Sequence, residues 1–150
     1  MKTTIVIFAL ALGINFANAQ TVKEAEVPAA VKDALKKAYP TAKVEKWEKE
    51  DTNYEAEIKV GKAESSIVYE ASGNLIMTEV EIKVSELPKG VTDYISKNLK
   101  GKKAKEASKI TYADGKVNYE AEVDDTDYIF DDKGNFIEKE VESDKKNDKD

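Results

Sequence analysis

Polar and apolar residues alternate through Asn53-Tyr54-Glu55-Ala56-Glu57-Ile58, with Tyr54, Ala56 and Ile58 on one side and Asn53, Glu55 and Glu57 on the other. A period of two is the mark of a β-strand with one packed face and one wet face. The phrase returns as Asn118–Val123, NYEAEV. Upstream of each copy the period lengthens. Val27, Val31, Leu35, Ala38 and Tyr39 fall on one helical stripe, opened by Pro28 and stopped by Pro40. Val91, Tyr94, Ile95 and Leu99 repeat that stripe after Leu87-Pro88, with Gly101 suited to the C-cap. Helices this short are marginal alone in water, so each must lie on something.

The rest of each copy reads as strands. The first strands are Lys43–Lys49 and Lys105–Tyr112, and the hexapeptides are the second. Ser66–Glu70 and Thr126–Asp131 are the third; Leu75–Ile82 and Phe136–Val141 are the fourth, preceded by Gly73-Asn74 and Gly134-Asn135 turns. The two copies align at an offset of 60 through Val27/Leu87, Val31/Val91 and Leu35/Ile95, of 65 at the hexapeptide and of 61 at the Gly-Asn turns. Length has drifted at hairpin turns, where sheets tolerate it. The pattern predicts an α+β fold of two tandem α-β4 repeats, about 27–84 and 87–142, within one domain spanning 20–142. The simplest assembly is an antiparallel eight-stranded sheet with both helices on one face.

The ends read differently. Residues 1–19 carry Lys2, the apolar run Ile5–Leu12 and Ala17-Asn18-Ala19, the three parts of a secretory signal peptide cut before Gln20. The run is shorter than the roughly 20 residues a bilayer needs. Residues 143–150, SDKKNDKD, contain no apolar side chain and are expected to be disordered. The predicted location is periplasmic or secreted, with no membrane insertion once the leader is removed.

Composition removes many chemistries. The chain has no Cys and no His, and all 24 basic residues are lysine. Imidazole and thiolate metal ligands, the imidazole base and the guanidinium clamp are therefore missing. The net charge of -6 becomes -7 when Lys2 leaves with the leader, which argues against nucleic acid as a partner.

A helix ending at Ala38-Tyr39-Pro40, then KVEKWEKEDTNYEAEI, then a strand closed by Ser72-Gly73-Asn74, resembles the PepSY-like family of exported bacterial proteins. The resemblance covers Val27 to Glu142. It implies a fold like that of the β-lactamase inhibitor protein, an exported location and protein binding or inhibition. It transfers no catalytic residue. The second copy lacks the tryptophan, and Tyr112 or a neighbour is expected in its place.

Several residues invite a functional reading. Trp47 could stack a ligand, but a hairpin pairing Lys49 with Tyr54 sets it opposite Ala56, as core packing would. Val68, Leu75 and Met77 in the first copy, with Ile129 and Phe136 in the second, are expected on the helix-free face among Glu55, Glu57, Glu79, Glu120 and Glu122. There they would form a protein-binding patch with an acidic rim; the alternative is scattered surface apolar residues. DDTDYIFDDKGN suggests calcium but lacks the EF-hand spacing. Glu55 and Glu57 share a face about 7 Å apart with no pocket implied. Lys97, Lys100, Lys102, Lys103 and Lys105 read as a solvated loop.

These features predict no catalytic residue, no metal site and no cofactor. They favour a non-catalytic exported binding module that meets an envelope or extracellular protein, including as an enzyme inhibitor. A small-molecule or calcium-binding envelope protein is the alternative.

Overall fold

The computed structural model describes residues 20–61 and 63–141; the expected leader and the expected tail lie outside the described residues. Among those residues the order is β1 (Gln20–Thr21), α1 (Ala29–Ala38), β2 (Lys43–Glu50), β3 (Asn53–Val60), β4 (Ala63–Glu70), β5 (Leu75–Glu81), α2 (Lys89–Asn98), β6 (Glu106–Tyr112), β7 (Val117–Glu122), β8 (Thr126–Asp131) and β9 (Phe136–Val141). The strands follow one another in sequence order as an antiparallel meander. The fold is α+β, with nine strands where the periodicity predicted eight. The additional strand, β1, is two residues long, too short to carry a period, and pairs Gln20 with Lys49 and Thr21 with Glu48.

A short 3-10 turn precedes each helix, Glu24–Glu26 and Val84–Glu86. In each, a glutamate reaches back to the turn's own start: Lys23 N–H donates to Glu26 at 2.8 Å and Lys83 N–H to Glu86 at 2.9 Å. The repeat therefore begins earlier than Val27 and Leu87, at a strand that enters this turn. Val22 N–H donates to the Trp47 carbonyl at 3.0 Å, and Ile82 N–H donates to the Ala107 carbonyl at 2.9 Å, the same bond 60 residues on.

The chain divides into two compact units, one holding described residues 20–80 with 111–115 and the other 81–110 with 116–141. In the first, α1 buries Val31 and Leu35, with Val27 ahead of it, against Trp47, Tyr54, Ala56, Ile58, Ile67 and Tyr69. Removing such side chains from water supplies roughly 1.5–3 kcal/mol each. The register explains the tryptophan. Trp47 lies opposite Ala56, which lies opposite Ile67, so the smallest side chain sits beneath the largest. Gly73, at φ +86°, lets the β4–β5 turn approach α1; a Cβ there would meet the Ala30 carbonyl oxygen at 2.7 Å.

The second unit repeats the plan with other side chains. Leu87, Val91 and Ile95 pack on Ala107, Ala121, Val123 and Phe130. The shared backbone bond makes Ala107 the counterpart of Trp47, five residues before Tyr112, where that residue or a neighbour was expected. The lost ring is replaced from two other positions. Tyr94 of α2 stacks on Phe136 at 4.9 Å between centroids and 7° between planes, and meets Phe130 edge-on at 5.4 Å.

Candidate functional site

The five residues expected to form a patch do not share a face. Val68 pairs with Met77, but the register then slips and Tyr69 pairs with Leu75. The same slip recurs between Ile129, which faces Glu138, and Phe130, which faces Phe136. Each slip is a β-bulge, and one extra residue turns the following side chains to the opposite side. Leu75 and Phe136 consequently stand with Tyr69 and Phe130 on their unit's helix side. Both are partly open, at 40% and 37% exposure. Val68, Met77 and Ile129 do point away from their own unit's helix, yet they are 1–3% exposed and are core residues. Strict alternation misplaced the first pair, and the expectation of a wet helix-free face misplaced the other three.

Charge gathers instead at the centre of that face in the first unit. The β2–β3 pairing runs unbroken from the hairpin turn, setting Glu48 opposite Glu55 and Lys46 opposite Glu57, before a bulge between Val44 and Lys46. Carboxylate oxygens of Glu48, Glu55 and Glu57 lie within 4.8 Å of one another, closer than strand spacing alone implied. The ammonium of Lys46 lies 2.8 Å from Glu48 and 3.3 Å from Glu57. Glu55 is the most buried of the three, at 5% exposure, and accepts a hydrogen bond from a neutral donor, the Ser66 hydroxyl, at 2.5 Å. Burial drives the Glu55 carboxyl up to about 7; Ser66 opposes this, while Glu48 and Glu57 add to it. Burial also raises Glu57, against the pull of Lys46. Lys46 is held above its ordinary value because Glu48 and Glu57 outweigh the opposing effect of burial.

Three carboxylates at this spacing have the donor type and separation to converge on a hard cation. Here Lys46 and Ser66 already supply donors to all three. Glu48 was not singled out by sequence, although the pairing that set Trp47 against Ala56 also sets Glu48 against Glu55.

The acidic segment near 131 is built otherwise. The Asp131 carboxylate accepts from the Lys133 and Asn135 backbone N–H groups at 2.9 and 2.8 Å and from the Asn135 side chain at 2.8 Å. These bonds, led by that of the Asn135 side chain, hold Asp131 below its ordinary range. Glu70 closes the equivalent turn, accepting from Asn74 and Ser72 at 2.9 and 3.0 Å. Asp124 pairs with Lys102, and Lys105 with Glu122 at 2.9 Å and Asp125 at 3.8 Å. Asp124, Asp125 and Asp131 of the segment read for calcium, and Lys102 and Lys105 of the lysine cluster, thus engage one another, a neighbouring glutamate or their own turn.

The structure resembles solved proteins of the genus Bacteroides. A "BLIP-like protein" from Bacteroides fragilis is 25% identical, with a TM-score of 0.62 over 78% of this chain and 88% of that one. A structure from Bacteroides eggerthii, described among "putative periplasmic proteins", is 18% identical, with a TM-score of 0.67 over 76% of this chain and 88% of that one. A DUF2874 family protein from Bacteroides uniformis is 22% identical, with a TM-score of 0.65 over 75% and 88%. No curated protein matches the chain. One family model, described as "Putative beta-lactamase-inhibitor-like, PepSY-like", matches twice, over residues 14–77 and 62–138. Both repeats are covered, and the chain belongs to this PepSY-like family.

Proposed function

We propose that the protein is an exported, non-catalytic binding module of the bacterial envelope whose partner is another protein. The observation that carries this reading is the double family match, which spans both repeats. The leader-like residues 1–19 and the likeness to a structure described as periplasmic support the location. Inhibition of an enzyme is the finer form of the reading and draws on the family's inhibitor-like description and the BLIP-like relative.

Of the residues first considered, Leu75 and Phe136 remain suited to meet a partner. Each follows a Gly-Asn turn, and the two occupy equivalent places 61 residues apart with apolar surface exposed. The test uses chain 20–150 as bait in envelope extract, beside Leu75→Lys and Phe136→Lys variants shown to be folded by circular dichroism. A partner held by the parent and lost from a variant is the expected result. A partner held equally by all three moves the site elsewhere, and capture of none overturns the reading. Titration against β-lactamases tests the finer form: saturable loss of turnover supports inhibition, and unchanged turnover removes it while leaving binding intact.

A further inference from the structure

On this face of the first unit three carboxylates, Glu48, Glu55 and Glu57, crowd within 4.8 Å of one another, and the ammonium of Lys46 lies against Glu48 and Glu57. Glu55 has Glu48 directly across from it on β2 and apolar Val68 across from it on β4, and it accepts a hydrogen bond from the Ser66 hydroxyl. Beyond Ser66, β5 presents Glu79, 1% exposed and opposite Ser66 in register. Like charges facing each other across strands repel, and burial strengthens that repulsion. A proton is the smallest counter-ion available.

We infer that this cluster is a proton-operated latch: a proton shared at Glu55 clamps β2, β3 and β4 together, and its loss sets Glu55 against Glu48 and loosens the first unit. The geometry carries the inference independently of any partner. The sign follows from linkage. The folded chain holds the proton up to about 7, whereas the unfolded chain releases it near the ordinary glutamate value of 4.5. The stabilising contribution is therefore complete below the unfolded value and is lost as pH rises through the folded one.

The test is urea unfolding of the full chain between pH 4.5 and 8.5 at constant ionic strength. Fluorescence of Trp47, the sole tryptophan, reports the first unit. The parent's folding equilibrium constant should fall by roughly 100-fold more across this range than that of Glu55→Gln, which keeps the shape and the bond to Ser66 without the charge. Glu48→Gln, which removes the facing charge, should show an intermediate fall and serves if Glu55→Gln does not fold. Equal pH dependence in the parent and whichever variant folds would overturn the latch, as would a parent indifferent to pH.

Discussion

The two copies of Asn-Tyr-Glu-Ala-Glu share a strand position and differ in what surrounds them. Ala56 and Ala121 are both fully buried, each beneath its unit's helix. Around Ala56 the bulk comes from Trp47 on β2; around Ala121 that position is Ala107, and the bulk comes from Tyr94, Phe130 and Phe136. On the reverse side, Glu55 faces Val68 and Glu48, whereas Glu120 faces Ile129. Glu57 shares Lys46 with Glu48, whereas Glu122 takes Lys105 at the surface. A repeated phrase preserves the backbone and the central alanine; the facing strands decide what its glutamates become.

Removing the bulk from each copy should break the symmetry most. Trp47→Ala should cost roughly 3–5 kcal/mol, since a buried ring leaves a cavity. Phe136→Ala should cost about 1–2 kcal/mol, because the ring is partly open and loses chiefly its stack on Tyr94. Urea unfolding followed by far-ultraviolet circular dichroism checks both, and equal losses would contradict the different packing of the two units.

Glycine substitutions come next. Gly134→Ala would bring a Cβ to 2.8 Å from Gly90 Cα at a φ of +82°, and should cost roughly 1–3 kcal/mol. Gly115→Ala has open space at a φ of +88°, so only backbone strain remains, about 1 kcal/mol. Thermal unfolding of the pair separates steric from conformational need.

The lysines give the smallest contrast. Lys46→Ala leaves two partly buried carboxylates without their cation and should cost about 1–2 kcal/mol. Lys105→Ala removes a lysine whose side chain is 60% exposed and should change stability less than Lys46→Ala does. Added salt should narrow the Lys105 effect further, because exposed pairs are screened.

Much of this architecture was legible in the chain. Two helical stripes, the alternation of NYEAE and the Gly-Asn turns located both helices and eight of the nine strands, and a pairing of Lys49 with Tyr54 placed Trp47 over Ala56. What could not be read depended on single-residue shifts and on distant burial. A bulge leaves no period of its own, so Leu75 and Phe136 were assigned to the wrong side. Burial of Val68, Met77 and Ile129 depends on neighbours remote in sequence, which alternation along a strand does not encode. The carboxylate cluster fell between these cases: the pairing of Lys49 with Tyr54 already aligns Glu48 with Glu55 and Lys46 with Glu57, but the burial of Glu55 beside Val68 depends on a strand that this hairpin does not encode.

The most direct measurement is a carbon-13 NMR titration of the glutamate side-chain carboxyls in the folded chain. Glu55 should titrate at about 7, far above Glu70, which Asn74 and Ser72 hold below its ordinary range. A Glu55 midpoint in the ordinary glutamate range, about 4.3, would contradict the claim that its surroundings set its chemistry apart from that of its repeated phrase.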